Sequence, residues 1–474
     1  MKWVNRDAGL IALGAASAVA YAVIARLAGA TGFPLDDAWI HQTYARNLGL
    51  NGQWAFTLGQ PSAGSTSPLW TALLAIGYAL RIDYAMWTLI LSALLLGVTA
   101  WLAYKLSSRW WVGALAAMEW HLVWASESGM ETVLFCALAM GAWLLSGVKG
   151  RGKPYPDIMC GVLIGLSVWT RPDGLTLLPF CGWMVWMAGG DGVARIRRLG
   201  ALAAGAAVIL IPYFLFNVAL SGQLWPNTFF AKQAEYASLR NLPLWQRVPQ
   251  IFATPLVGPL ALLVPGIVLG AKGRWPQLGW VCAFLMSYAL RLPVTYQHGR
   301  YLIPVIPMLI VIGGVGMGEW VRLDASEMWR RVISRAWVIG GGAVAVAFWG
   351  LGASALATDV RVINNEMVTV AKWVAFNVPP GTIVAAHDIG ALGYFADVEL
   401  IDLAGLVSPE VIPFIRDEAR VWQFIREGKA RYVITYPGWC PSFTRDSELF
   451  PVFQTGTLCD PANPNLHMTV YKRG

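Results

Sequence analysis

The chain has 474 residues, of which 57% are hydrophobic and only 13% are charged. Soluble domains carry about 25% charged residues, so a soluble globular protein of this size is excluded. The 25 Trp residues fit a membrane protein, because Trp concentrates at membrane–water interfaces. The formal net charge of +8 does not indicate a nucleic-acid partner, because acidic residues outnumber basic ones from Asp359 onwards.

Apolar runs of about 20 residues, long enough to cross a bilayer, predict about eleven transmembrane helices. Their starts lie near Ala8, Asp83, Trp110, Glu131, Asp157, Leu175, Leu199, Pro255, Trp275, Tyr301 and Ala336. The run from Leu69 to Leu80 is apolar but short, and it predicts a re-entrant or interfacial segment.

Basic residues in the short connections predict the orientation, because cytoplasmic loops retain Lys and Arg. The larger of the two alternating sets comprises Lys2, Arg6, Lys105, Arg109, Lys149, Arg151, Lys153, Arg195, Arg197, Arg198, Lys272, Arg274, Arg322, Arg330, Arg331 and Arg335. We therefore expect a multi-pass protein of the cytoplasmic membrane, with its N-terminus in the cytoplasm and its C-terminal part outside.

The composition changes after Leu356, where polar residues return. Residues 1–357 predict a transmembrane domain whose outer loop, residues 29–82, carries interfacial helices. Residues 358–474 predict an extracytoplasmic α/β domain. Its expected helix is Arg416–Gly428, and its expected strands are Thr382–Ala386, Val398–Asp402, Arg431–Tyr436 and His467–Tyr471. The fold class is thus mainly α-helical membrane protein with a C-terminal α/β domain.

Two of the six cysteines, Cys440 and Cys459, fall in the expected outside domain. An oxidising environment permits a disulfide between them. A disulfide and two separate thiols both stay open. The sequence shows no cluster of His and Cys with the spacing of a zinc site.

The adjacent aspartates Asp36 and Asp37 stand out in the first outer connection. After them Trp39, Ile40 and Tyr44 recur at three- and four-residue steps, which predicts a helix on the membrane surface with the aspartates at its start. One carboxylate would be enough to cap the free N–H groups of that helix. A pair beside a membrane favours a functional site.

Further outer connections carry polar and basic side chains. The loop with Ser65 and Thr66 is either a flexible connector or a loop that binds sugar or phosphate. A single basic residue at the headgroup level usually just reaches for lipid phosphates. By the predicted topology Lys232, His298 and Arg300 would all face the side of the aspartate pair, which favours the binding of one specific lipid phosphate. Arg171 and Asp173 predict a structural ion pair.

These motifs, in this order, resemble the GT-C superfamily of polytopic glycosyltransferases that use polyprenyl-phosphate sugars. Within it they resemble mycobacterial-type arabinofuranosyltransferases and bacterial mannosyltransferase-like proteins. The resemblance rests on Asp36-Asp37 with Tyr44-Ala45-Arg46-Asn47-Leu48, the run from Gly64 to Trp70, Ser128–Thr132, Arg171–Gly174, Pro226–Lys232, His298–Pro304, His387–Gly390 and Ile401–Leu406.

The resemblance implies an inverting transferase that moves a sugar from a polyprenyl-phosphate donor to a hydroxyl of a glycan, lipid or protein at the outer face of the bilayer. It implies a general base in the first loop, Asp36 first and Asp37 second. The residues it implies for donor phosphate and sugar binding are Lys232, His298, Arg300, Tyr301, Asn227, Ser65 and Thr66. The donor sugar stays open between hexose and pentose.

Two further questions stay open at the level of sequence. A divalent cation would suit Asp36 or Asp37 together with the donor phosphate, because hard cations bind such oxygens. His387 and Asp388 follow a predicted strand, and they either fold over the site or order a turn.

The alternative function is a polytopic transporter or flippase of a lipid-linked sugar. Transporters usually show internal repeats around a site in mid-membrane. The sequence shows no such repeat, and its polar motifs cluster on one side, which favours an enzyme. A non-catalytic scaffold would leave the aspartate pair without a role.

Overall fold

A computed structural model of the chain describes residues 2–148, 154–456 and 467–474. Helices dominate the part before residue 378: α1 (Lys2–Leu27), α2 (Asp36–Asn51), α3 (Pro68–Ala79), α4 (Tyr84–Ser107), α5 (Trp110–Met118), α6 (Trp120–Ser126), α7 (Thr132–Ser146), α8 (Tyr155–Thr170), α9 (Leu177–Met187), α10 (Gly192–Ser221), α11 (Asn227–Glu235), α12 (Leu244–Ala253), α13 (Val264–Gly270), α14 (Trp275–Arg291), α15 (Tyr296–Gly299), α16 (Ile306–Trp320), α17 (Met328–Ile363) and α18 (Thr369–Asn377).

Within the described ranges, five helical segments are long and apolar enough to cross a membrane. They are Arg6–Leu27, Tyr84–Ser107, Gly192–Ser221, Tyr296–Trp320 and Met328–Asn377. The segments Leu244–Leu256 and Pro259–Gly273, bent by 96° at their junction, make a sixth if they count as one span. The chain is a multi-pass membrane protein. The exact number of eleven spans stays a prediction, because several of the expected spans are short helices here.

Small residues let the long helices approach closely, as is typical of helix packing in membranes. Gly14 of α1 lies against Gly97 of α4, where an added Cβ atom would stand 2.7 Å from the Gly97 Cα atom. Gly161 of α8 lies against α10 at Leu202, and a Cβ there would stand 2.1 Å from the Leu202 carbonyl oxygen. A larger side chain at either glycine would push the helices apart.

The span expected from Trp110 is broken in the structure at Glu119. Glu119 has an extended backbone, and its carboxylate accepts hydrogen bonds from the N–H of Leu122 and from Nδ1 of His121, at 3.0 and 2.7 Å. The carboxylate therefore caps the start of α6. A capped break separates α5 from α6, so this stretch is not one straight helix.

Helix α2 begins at Asp36, as the sequence predicts, but both of its sides are covered. Along with its apolar residues, the polar side chains of His41, Gln42 and Asn47 are buried. Each has a partner: His41 Nδ1 lies 3.0 Å from Thr71 Oγ1, for example. Helix α3 and the C-terminal part thus enclose α2. Its position on the membrane surface stays a prediction.

The C-terminal part contains a five-stranded mixed sheet and two further helices. The hairpin β1 (Ala55–Thr57) and β2 (Gln60–Pro61) lies earlier in the chain, between α2 and α3. The remaining elements are β3 (Ile383–Ala386), α19 (Gly390–Phe395), β4 (Glu399–Asp402), α20 (Glu418–Glu427), β5 (Tyr432–Thr435), β6 (Leu449–Gln454) and β7 (Thr469–Arg473). The strand order is β4-β3-β5-β7-β6. Strand β3 runs parallel to both β4 and β5, whereas β7 is antiparallel to β5 and β6.

The four expected strands correspond to β3, β4, β5 and β7, and the expected helix to α20. Strand β6 was not predicted, because Pro451 lies within it. Proline is tolerated on an edge strand, and β6 is the edge of this sheet. The expected domain boundary between residues 357 and 358 falls inside α17, which continues through a π-helical turn, Asn364–Val368, into α18. Cys459 lies outside the described residues, so the disulfide with Cys440 stays a prediction.

Loops at the carboxyl ends of the parallel strands contact the helical part. After β3 comes the loop with His387 and Asp388, and after β4 comes the loop that ends at Val407. Asp402 shapes the second loop, because its carboxylate accepts N–H bonds from Ala404 and Val407, both at 2.8 Å. Ligands of parallel sheets bind at this edge. It lies here against α2 and α11.

Candidate active site

A cavity of about 540 Å³ lies between the helical part and the loops of the C-terminal sheet. Asp37, Lys232 and Arg300 form one polar end of its lining, and much of the rest is apolar. The apolar lining includes Leu35, Ile40, Met130, Leu175, Trp225, Phe229, Leu290 and Leu292. Such a cavity suits a ligand with a charged head and an apolar body.

Asp37 is held by two cations. Its Oδ2 accepts a hydrogen bond of 2.6 Å from Arg300 Nη2, and its Oδ1 lies 4.0 Å from Lys232 Nζ. Burial by itself raises the pKa of Asp37, but the charges of Lys232 and Arg300 outweigh it and lower that pKa below its usual range. Asp37 is therefore an ionised carboxylate inside the cavity.

Arg300 has more hydrogen-bond donors than partners. Nη2 donates to Asp37 and to the hydroxyl of Tyr301, the latter at 2.9 Å. The buried Nε and Nη1 atoms have no partner. Buried donors without a partner are costly, and guanidinium nitrogens match the oxygens of a phosphate. Arg300 thus lines the cavity and has two buried nitrogen atoms without a partner.

Lys232 projects from α11 towards the same end of the cavity. Its Nζ lies 3.5 Å from Glu235 Oε2, one helical turn further on. Burial lowers the pKa of Lys232, but the charges of Asp37 and Glu235 raise it well above its usual range. Lys232 is accordingly a permanent cation whose charge is shared between two carboxylates.

A second polar cluster forms another part of the cavity wall. Arg171 Nη2 lies 3.0 Å from Asp173 Oδ2, which confirms the expected ion pair, and it also donates to the hydroxyl of Tyr288 at 2.7 Å. Glu131 lies 3.5 Å from Arg171 and 3.6 Å from His41. The Oε2 atom of Glu131 has no hydrogen-bond partner. This wall can accept hydrogen bonds from a polyhydroxylated ligand.

Asp36 has a different environment from its neighbour. Its two carboxylate oxygens accept backbone N–H bonds from Gly390 and Ala391, at 2.7 and 2.8 Å. Burial and the charge of Asp388 raise the pKa of Asp36 to about 7, although the two N–H bonds oppose this shift. Asp36 is not among the residues that line the cavity. It connects α2 to the first turn of α19.

The other predicted site residues divide between the cavity and its supports. Thr66 and Tyr301 line the cavity. Ser65 is buried, 2.9 Å from Thr71 Oγ1, and supports the loop. The Asn227 amide donates to the Leu406 carbonyl at 3.1 Å, which ties α11 to the loop after β4.

His298 points away from the other two predicted cations. Its Nε2 lies 2.8 Å from Asp359 Oδ2 on α17, and its ring packs edge-on against Trp124 at 5.0 Å. His298 and Gln297 both have φ near +55°, in the left-handed region that costs non-glycine residues energy. Because of this tight turn, the His298 side chain contacts α17 whereas the Arg300 side chain lines the cavity.

Three lining residues were not predicted from the sequence as site residues. They are Glu131, Tyr288 and His41, and their residue types alone do not single them out. Only Glu131 carried a local signal, since it follows a Ser-Gly-Met turn in an outer connection. Within the described ranges no group of three or more His, Cys, Asp or Glu residues is arranged to hold a metal ion.

Comparisons of the sequence with known proteins find one family and one curated relative. Residues 354–471 match a family described as a domain of unknown function, DUF8728. Over 264 residues the chain is 26% identical to undecaprenyl phosphate-alpha-4-amino-4-deoxy-L-arabinose arabinosyl transferase 2 of Pseudomonas fluorescens. That alignment covers 51% of this chain and 45% of the relative, so the match spans less than half of the relative's length.

Three solved structures share the architecture over most of the chain. ArnT from Cupriavidus metallidurans bound to undecaprenyl phosphate has a TM-score of 0.62 at 15% identity, over 98% of both chains. AglB, the archaeal oligosaccharyltransferase from Archaeoglobus fulgidus, solved with an inhibitory peptide and a dolichol-phosphate, has 0.54 at 12%, over 90% of this chain and 69% of that one. Arabinofuranosyltransferase AftD from Mycobacteria has 0.51 at 16%, over 97% and 40%. The predicted resemblance to the GT-C superfamily is confirmed at the level of the fold.

Proposed function

We propose that this chain, which has the fold of the GT-C superfamily, is an inverting glycosyltransferase that uses a polyprenyl-phosphate sugar. The observation that carries the proposal is the cavity of about 540 Å³ in which Arg300 presents two buried, unpartnered donors beside Lys232 and Asp37. The relative from Pseudomonas fluorescens is named for an undecaprenyl-phosphate aminoarabinose donor. One of the similar structures contains undecaprenyl phosphate.

The cavity matches the two ends of such a donor. The phosphate would bind at Arg300 and Lys232, while the first isoprene units would contact apolar residues such as Trp225 and Leu290. The wall with Arg171, Asp173 and Glu131 would bind sugar hydroxyls. The sites at Tyr301 and Thr66 belong to the same lining, so both remain proposed donor contacts.

We assign the general base to Asp37, because its carboxylate lies in the cavity whereas the Asp36 oxygens are occupied by Gly390 and Ala391. The acceptor oxygen forms a bond to the anomeric carbon as the bond from that carbon to the phosphate oxygen breaks. The acceptor proton moves to the Asp37 carboxylate, and polyprenyl phosphate leaves with the bonding electron pair. Attack opposite the phosphate inverts the anomeric centre.

Donor binding would itself activate Asp37. Without donor, Arg300 and Lys232 lower its pKa. A bound phosphate takes part of both positive charges, so the pKa of Asp37 rises towards a value that is useful for proton transfer. As the leaving phosphate gains charge, the same two cations stabilise it.

The proposed location of the reaction is the outer face of the cytoplasmic membrane, with the N-terminus of the chain in the cytoplasm.

The test is to incubate the purified protein with a panel of polyprenyl-phosphate pentoses and hexoses and to follow the release of free polyprenyl phosphate. We expect release with one donor class, an inverted product and strongly reduced release in Asp37→Asn. If the protein releases polyprenyl phosphate from none of these donors but moves a donor across the membrane of proteoliposomes, it is instead a flippase. Addition of a chelator would show whether a divalent cation takes part.

A further inference from the structure

A chain of charged side chains leads from the donor cavity into the C-terminal part. Glu235, the last residue of α11, lies between Lys232 and His387: its Oε2 is 3.5 Å from Lys232 Nζ, and its Oε1 is 3.5 Å from His387 Nε2. Asp388 follows, 3.8 Å from His387 Nδ1. We call Lys232, Glu235, His387 and Asp388 the interdomain cluster.

Several polar atoms of the interdomain cluster are buried but lack a hydrogen-bond partner. Buried atoms without a hydrogen-bond partner are Glu235 Oε2, His387 Nδ1 and Asp388 Oδ2. A merely structural cluster would be expected to satisfy these atoms, because unmade buried hydrogen bonds are costly. The Glu235 carboxylate contacts both cationic neighbours at once, one with each oxygen and each at 3.5 Å, so the charge of His387 bears on how Glu235 interacts with Lys232.

The position of His387 is fixed by the fold. It follows β3 at the carboxyl edge of the parallel strands, and its ring packs edge-on against Trp439 at 4.9 Å. Asp36 fixes the same loop three residues later through the N–H of Gly390. The imidazole is thus held against α11 by the sheet and by the first outer loop.

We propose that His387 is a positioning residue for the donor phosphate: in its protonated form it binds the Glu235 carboxylate, which leaves the charge of Lys232 available to the phosphate. When His387 loses its proton, the Glu235 carboxylate pairs more strongly with Lys232. It then competes with the phosphate for the positive charge of Lys232. The lipid phosphate then binds more weakly at high pH. This proposal rests on the proposed function only for the identity of the bound anion, which is a lipid phosphate.

The charged groups around His387 determine the pH range in which it loses its proton. Glu235 on α11, Asp388 in its own loop and Asp402 at the end of β4 are acidic, and Lys232 is the cation on this side. Burial lowers the pKa of His387, but Asp388 and Glu235 outweigh it and raise that pKa to about 9. The phosphate itself titrates near pH 6, well below that range.

The experiment measures the binding of undecaprenyl phosphate to the detergent-purified protein between pH 7.5 and 10, without any sugar donor. We expect the wild-type affinity to fall about five- to tenfold over this range, a coupling of ordinary size. His387→Gln should bind weakly at every pH, and His387→Lys tightly at every pH. Arg426→Gln, which alters a surface ion pair with Glu448 in the same sheet domain, is the matched control and should behave as wild type.

Glu235→Gln provides a second readout that a structural role would not produce. It should bind undecaprenyl phosphate as tightly at pH 10 as at pH 7.5, and adding His387→Gln should change nothing further. Equal pH dependence in wild type and His387→Gln overturns the proposal, as does a Glu235→Gln variant that still weakens with pH. If binding behaves as expected but no donor is turned over, the proposed function fails and the inference stands. A wild-type protein that does not bind the lipid phosphate contradicts both.

Discussion

The Asp36 Oδ2 atom accepts a hydrogen bond of 2.7 Å from the backbone N–H of Gly390, and this bond joins the start of α2 to the C-terminal sheet part. The second oxygen of Asp36 binds the next N–H, that of Ala391. Free N–H groups at the start of a short helix attract a carboxylate. The contact therefore fixes the loop after β3 against the start of α2.

Replacing Asp37 by Asn should remove catalysis but not donor binding. The amide cannot take the acceptor proton, so we expect kcat to fall by about 10²–10⁴-fold. The donor KM should stay the same or decrease, because Arg300 and Lys232 lose a competing carboxylate. Steady-state kinetics with the active donor provide the measurement. Undiminished turnover would show that Asp37 is not the base.

Replacing Arg300 by Ala should mainly weaken donor capture. A hydrogen bond to a charged group is worth about 1.5–3 kcal/mol, which corresponds to a rise of roughly 10- to 100-fold in the donor KM. Arg300→Lys keeps the charge but not the forked donor geometry, so it should lie between wild type and Arg300→Ala. An unchanged donor KM in Arg300→Ala would rule out phosphate binding by this residue.

Asp36→Asn should change how the thermal stability depends on pH. Because the folded protein raises the pKa of Asp36 from its usual 3.8 to about 7, it binds this proton more tightly than the unfolded chain does. The contribution of Asp36 to stability is therefore complete at low pH and is lost as the pH rises towards 7. Tm curves of wild type and Asp36→Asn, recorded between pH 4 and 8, should diverge in slope. Parallel curves would contradict the assigned pKa.

Gly390→Ala tests the contact between Asp36 and α19 sterically. An added Cβ atom would stand 2.0 Å from the Asp36 carbonyl oxygen, so the loop must move. Overpacking of this kind costs about 1–3 kcal/mol, and we expect a lower Tm together with reduced transfer. Gly200→Ala is the control, since a methyl group there meets no atom within 4 Å. Equal behaviour of the two variants would exclude a tight contact at Gly390.

Local patterns in the sequence were enough to predict much of the architecture. Only 13% of the residues are charged, and this alone requires most helices to be surrounded by lipid or by each other. The apolar spacing after Asp36 predicted α2, and runs of β-branched residues predicted β3, β4, β5 and β7. These features depend on neighbours in the chain. The edge strand β6 was not predicted, because it contains a proline and a strand tolerates proline only at the edge of a sheet.

The tertiary structure decided what the individual side chains do. Successive residues of a helix point about 100° apart, so Asp36 and Asp37 necessarily face different surroundings. Which of them faces the cavity depends on where α19 and Arg300 lie, and both are distant in sequence. In the same way a left-handed turn separates His298 from Arg300. Residue types and spacing determined the chemistry available at this end of the molecule, whereas packing between distant segments determined which groups meet.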